Sequence, residues 1–296
     1  MASNLPSRSP DVADRPRLNI RDVARAGRLY SLAVDRFPGM PLFPGHPPFQ
    51  VLTYRSPQGL RISGARPWGP GNDAGLGYMC EYVLSTSHSG AHIDALAHMT
   101  IGEDDHWFCG ATRTHLGDFG PTAGDATAIP PIWTRGVLFD VPRHRGVDCL
   151  DRGEAVSADE LKAIAKNNDV ELQRGDVALV RTGYLSHWPD VTKLEAHRGA
   201  GPDLSAARWF ADCGIVACGS DTETFEVQPA PARDRGSPSN PQPVHTLLLI
   251  EKGIYIMESL YLEELARDGV HEFLFVALPI KIRGATGSMM DPIAVV

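Results

Sequence analysis

The stretch His88-Ser89-Gly90-Ala91-His92-Ile93-Asp94-Ala95-Leu96-Ala97-His98 gathers three of the chain's 11 histidines and one carboxylate. Neutral imidazole nitrogens and carboxylate oxygens are the usual ligands of Zn²⁺ and Mn²⁺. Unrelated surface histidines, or core histidines satisfied by hydrogen bonds, account for one such residue better than for four groups in the pattern H-x3-H-x-D-x3-H. The pattern therefore reads as a metal motif.

Backbone geometry limits how it can work. On an α-helix His88 and His92 share a face, but Asp94 then points about 160° away from His92. On a strand all four groups face one side, yet four residues span roughly 13 Å, too far for two ligands of one ion. A bend at Ser89-Gly90 resolves the conflict, because glycine tolerates the dihedrals that a bend needs. The motif is accordingly placed where a strand, residues 77–87, turns into a loop or short helix.

Composition sets the frame. The chain has 296 residues, 43% hydrophobic and 22% charged, with a formal net charge of −8. This describes an ordinary globular protein, long enough for one large domain or two small ones. The negative charge argues against nucleic acid or an anionic membrane as partner. No apolar run reaches a membrane span of about 18 residues, and no secretory leader is evident. Cys80, Cys109, Cys149, Cys213 and Cys218 form no C-x-x-C pair or disulfide framework, so a cytoplasmic location is expected.

Along the chain, residues 1–18 read as a mobile tail and residues 21–34 as a helix. Residues 39–48, rich in Pro and Gly, form a loop. Residues 136–141, 175–183 and 215–219 are strand-like. Ser157-Ala158-Asp159-Glu160 has the form of a capping box opening a helix to Asn167. Residues 204–212 form a helix stopped by Gly214. Residues 228–244 carry five prolines and make either a lid beside the site or a plain insertion. Strand 254–257 ends at Glu258, a carboxylate among apolar neighbours that is costly unless paired or metal-bound. Alternating strands and helices without internal repeats argue an α/β fold in one domain, residues 19–296.

His88, Gly90, His92, Asp94 and His98 fill the pattern H-x-G-T-H-x-D-x-x-x-H. On these residues the chain resembles the metal-dependent cyclase-like hydrolase family, which includes bacterial kynurenine formamidase and isatin hydrolase. Ala91 stands where Thr is usual, and Leu96 where Pro is common. The resemblance continues through His245 and Glu258, which match the family's H-x-x-L-L…E-x-L, and through residues 273–288. It implies a swivelling β/β/α fold with a mixed, barrel-like sheet and flanking helices. His88, His92, Asp94, His245 and Glu258 are the implied ligands of one or two divalent ions, Zn or Mn. His98 is the implied general acid/base and Phe43 an implied pocket wall. The implied partners are a small-molecule substrate and further copies of the chain, in a homodimer or homotetramer.

The expected reaction is hydrolysis of an amide-type C–N bond by metal-activated water. Its rivals are a lactone or ester hydrolase on the same site and a non-catalytic, metal-stabilised binding protein. Neither a G-x-S-x-G elbow nor a Walker A loop is present.

Overall fold

The computed structural model describes residues 27–230 and 239–296. The expected tail, residues 1–18, lies outside the described residues, as does the start of the expected helix. The strands of three or more residues are β1 (Leu29–Ser31), β2 (Gln50–Arg55), β3 (Cys80–Leu84), β4 (His92–Asp94), β5 (Ile132–Asp140), β6 (Val177–Arg181), β7 (Ala217–Ser220), β8 (Tyr255–Glu258), β9 (Glu272–Ala277), β10 (Gly287–Met289) and β11 (Ile293–Val295). Nine of them form one mixed sheet in the order β1-β11-β9-β5-β6-β7-β8-β4-β10. β5 to β8 are mutually parallel, and every other pairing in the sheet is antiparallel. This is the α/β, mixed-sheet architecture expected from the sequence.

The parallel centre follows from its residues. Val177, Ala178, Leu179 and Val180 of β6, and Ala217 and Cys218 of β7, are wholly buried. A parallel strand covered on both faces reads as such a continuous apolar run. The cover includes two helices, α1 (Ala158–Asn167) and α2 (Leu204–Cys213). α1 buries Leu161, Ile164 and Ala165, and α2 buries Ala206, Ala207 and Phe210, each at helical spacing. Ser157 caps α1 by accepting from Glu160 N. The Glu160 carboxylate does not reach back as in a full capping box; it is taken by Arg145 at 2.7 Å. Gly214 ends α2 with φ of 71°.

One expectation is corrected. Residues 27–34 are not helical, since Leu29–Ser31 pairs with Ile293–Val295. Tyr30, Leu32 and Val34 are buried while Leu29, Ser31 and Asp35 are exposed. That is a two-residue period, and long-range pairing overrides local helix propensity here. In the segment 228–244, read as a lid or a plain insertion, Pro243 and Val244 are buried and helical, and Pro243–His245 leads into a π-helical run, Thr246–Lys252. Residues 231–238 of that segment lie outside the described residues.

β2 and β3 form a separate two-stranded ribbon. Val51, Leu52, Tyr54, Tyr82, Val83 and Leu84 are exposed on it. The strand expected before the metal motif thus exists as β3, but it leads in from this ribbon and not from the main sheet.

Candidate metal centre

The motif enters the site through a tight bend. Gly90 has φ of +56°, a left-handed value that glycine adopts without strain. The Arg36 guanidinium braces the bend, donating to Ser89 O at 2.9 Å, Ala91 O at 2.6 Å and Met290 O at 2.9 Å. After the bend the chain forms β4, a strand and not a helix. Its register sets His92 opposite Glu258 of β8, and Asp94 opposite Gly287 of β10. Glu258 ends a parallel strand, the position where open α/β sheets present ligand-binding groups.

Five expected ligands therefore meet. His88, His92 and Asp94 form one buried group of donor atoms, each within 4.8 Å of the others; Asp94, His245 and Glu258 form a second. Asp94 belongs to both. His92 Nε2 lies 3.4 Å from Glu258 Oε2 and 3.7 Å from Asp94 Oδ1. His245 Nε2 lies 3.3 Å from Glu258 Oε1 and 3.8 Å from Asp94 Oδ2.

The outer nitrogens decide which way the rings point. His92 Nδ1 donates to Gly90 O at 2.8 Å. A carbonyl only accepts, so Nδ1 carries a proton and Nε2 is the nitrogen that faces the other donors. His245 Nδ1 bonds Glu226 Oε1 at 2.6 Å, the carboxylate–histidine arrangement that orients a metal ligand and raises its basicity. His88 differs: its ring nitrogens are held by Asp94 Oδ1 at 2.9 Å and Thr286 Oγ1 at 3.1 Å. It would join an ion only by exchanging one of these bonds.

Two observations fit this set to a cation. His92 Nε2 and Asp94 Oδ2 are buried with no hydrogen-bond partner, and unpaired buried polar atoms are costly. The electrostatics agree. Burial alone would raise the Asp94 carboxyl, but His98 and the hydrogen-bonded His88 hold it well below the usual range. Burial would likewise raise Glu258, which the His245 and His92 imidazoles facing it keep low. Burial opposes charge on His245, yet Glu226 and Glu258 raise it to about 10. Protons thus occupy imidazoles that face two ionised carboxylates. A divalent ion would displace those protons, held by His92, Asp94, His245 and Glu258, with His88 able to join.

His98 lies beside this set and outside it. Its ring packs on the His88 ring at 4.1 Å, tilted by 31°. Burial, with the His88 and His245 charges, pushes its pKa down to about 4 against the opposing pull of Asp94. A cleft opens over the centre, lined by Pro41, Leu42, Phe43, Tyr184, Leu185 and Trp188, with His88, His92 and Glu258 also on its wall. Phe43 is therefore in the pocket, at its exposed rim.

Sequence reasoning missed Glu226, Arg36, Thr286 and Glu223. Glu223 also lines the cleft, bonded by Tyr184 Oη at 3.0 Å and paired with Arg198 at 2.6 Å. An acidic run after β7 was the available signal, but nothing local told Glu223 from Glu226.

The chain belongs to the Cyclase family, whose sequence model matches residues 30–227. The match includes His88, His92, Asp94 and His98 and stops short of His245 and Glu258. A crystal structure described as a novel cyclase is 26% identical, with a TM-score of 0.78, covering 94% of this chain and 92% of that one. An isatin hydrolase bound to the product analogue thioisatinate is 18% identical, with a TM-score of 0.68 and coverage of 94% and 95%. Isatin hydrolase A from Ralstonia solanacearum is also 18% identical, with a TM-score of 0.67 and coverage of 96% and 99%. These last two share the fold. No curated protein matches the chain.

Proposed function

We propose that this chain is a metal-dependent hydrolase that cleaves an amide-type C–N bond in an aryl formamide, a cyclic amide or an imide. One observation carries the reading. His92 Nε2 and Asp94 Oδ2 are orphaned and buried where His245 and Glu258 also present donors. The fold shared with isatin hydrolases supports the substrate class, as does the cleft. Phe43, Tyr184, Leu185 and Trp188 offer apolar walls for a flat ring. Sharing of Asp94 between the two donor groups suits one or two ions of Zn or Mn.

When bound, such an ion supplies Lewis acidity and a water that is nucleophilic near neutral pH. The protein does the rest. Gly90 O and Glu226 fix the protons on the outer nitrogens of His92 and His245, so their lone pairs face inward. His98, neutral at pH 7, accepts a proton on a ring nitrogen and returns it to the departing nitrogen of the substrate. The aromatic rim holds the ring so that the scissile carbonyl faces the centre.

The test is to strip the protein with a chelator, restore Zn²⁺ or Mn²⁺ separately, and assay aryl formamides, isatins, cyclic imides and lactones. Metal-restored hydrolysis of a C–N substrate is expected. Turnover of lactones alone would reassign the bond cleaved. Full activity in a verified metal-free sample would overturn the proposal.

A further inference from the structure

Among the described residues, one further group can hold a metal. Donor atoms of Cys149, His187 and His197 all lie within 4.8 Å of one another. We propose that these three residues form a second, thiophilic cation site of the zinc type, which pins one wall of the cleft. It does not depend on what the chain hydrolyses.

The residues come from three places. Cys149 lies in the loop after the short helix Val141–Arg145, His187 ends the turn Tyr184–His187, and His197 follows the helix Val191–Ala196. The fold joins them tightly. Leu150 N donates to Thr182 O at 2.9 Å. Asp221 accepts from Thr182 N, Thr182 Oγ1 and Gly183 N, each at 2.8 Å. Gly183 has φ of +86°, and a Cβ there would fall 2.8 Å from Cys149 Cα. The Cys149 backbone is thus locked against the start of the turn that carries His187.

The two rings stack with centroids 4.8 Å apart and planes 22° apart. His197 Nδ1 donates to Leu150 O at 2.9 Å, leaving the Nε2 lone pair free for a cation. His187 Nε2 is buried without a partner. A buried imidazole nitrogen with nothing to bond, beside a second imidazole and a thiol, is the donor chemistry of Zn²⁺. Burial and the Asp221 and Glu263 carboxylates push the Cys149 thiol up to about 12, so it stays neutral until a cation displaces its proton. Three protein ligands leave one tetrahedral position for water.

The site bears on the cleft through the chain between its ligands. Tyr184, Leu185 and Trp188 all line the cleft, and His187 lies between Leu185 and Trp188. An ion held by Cys149, His187 and His197 would fix that turn from behind.

The two sites differ in one measurable respect: the main centre offers only nitrogen and oxygen, while this one offers sulfur. Co²⁺ is titrated into the chelator-stripped full-length protein while near-ultraviolet absorption is followed. A thiolate-to-cobalt charge-transfer band is expected in the wild type and in Glu258→Ala, and is expected to vanish in Cys149→Ser and in His187→Asn. Near-ultraviolet circular dichroism checks that each variant is folded, and His197→Gln replaces any that is not. Absence of the band in the wild type, or its survival in Cys149→Ser, overturns the proposal. Failure of hydrolysis in every assay leaves it standing, so the two readings fail separately.

Discussion

Replacing Glu226 by Gln tests whether the carboxylate behind His245 sets affinity for the ion. Glu226 is wholly buried. It accepts His245 Nδ1 at 2.6 Å and His245 N at 2.9 Å through Oε1, and Val244 N at 3.1 Å through Oε2. Glutamine keeps the shape but converts one acceptor into a donor. If the amide oxygen faces His245, the NH₂ group meets Val244 N, and a buried backbone donor is stranded at a cost of about 1–3 kcal/mol. If the amide is flipped, its NH₂ faces His245 Nδ1. The imidazole proton then moves to Nε2, and the inward lone pair is lost. In either orientation His245 loses an anionic partner and becomes a poorer ligand. Loss of such an outer partner costs about 10–100-fold in metal affinity, or roughly 1.4–2.7 kcal/mol. Competition against a chromogenic chelator would measure the change. Thermal unfolding of the metal-free variant would separate the stability cost from the affinity cost. A dissociation constant within about twofold of wild type, in a folded variant, would refute the reasoning.

Other outcomes follow from the same geometry. His98→Ala should keep its metal, yet hydrolyse about 10²–10⁴-fold more slowly, the usual share of a general acid/base; loss of metal on elemental analysis would make His98 a ligand instead. Glu258→Ala should lower metal content, since Glu258 faces both His92 and His245. Gly287→Ala should weaken metal binding as well, because a Cβ there would lie 2.5 Å from the His88 ring. Metal affinity should rise with pH between 6 and 8, since ions must displace protons from imidazoles whose pKa values are raised; calorimetry in buffers of different ionisation enthalpy would show proton release.

Much of the site was legible because its two halves are each compact in sequence. Residues 88–98 carry three donors, and Glu258 ends an apolar strand. The bend at Gly90 followed from the reach of helix and strand alone. Partners that act across the sheet were not legible. Glu226 and Thr286 are defined only by which strands become neighbours, and no periodicity reports that. The expected helix failed over its described part, residues 27–34, for the same reason: β1 exists because β11 lies beside it. Cys149, His187 and His197 show the limit most plainly, since no spacing rule links a cysteine to histidines 38 and 48 positions later.

The Glu226 carboxylate has a consequence for chain length. Glu226 and His245 stand on either side of residues 227–244, and three hydrogen bonds join Glu226 to Val244 and His245. Gln228 adds a fourth tie, from its Nε2 to Pro241 O at 3.1 Å. The two flanks are thus fastened to each other directly, and the placement of His245 does not rely on the peptide that joins them. Insertions, deletions or a protease nick between 230 and 239 should leave His245 where it is. Loop-closure cost grows only slowly with length, by about 0.6 kcal/mol per doubling. A tag or a cleavage site placed between residues 230 and 239 is therefore expected to leave the metal content of the protein unchanged.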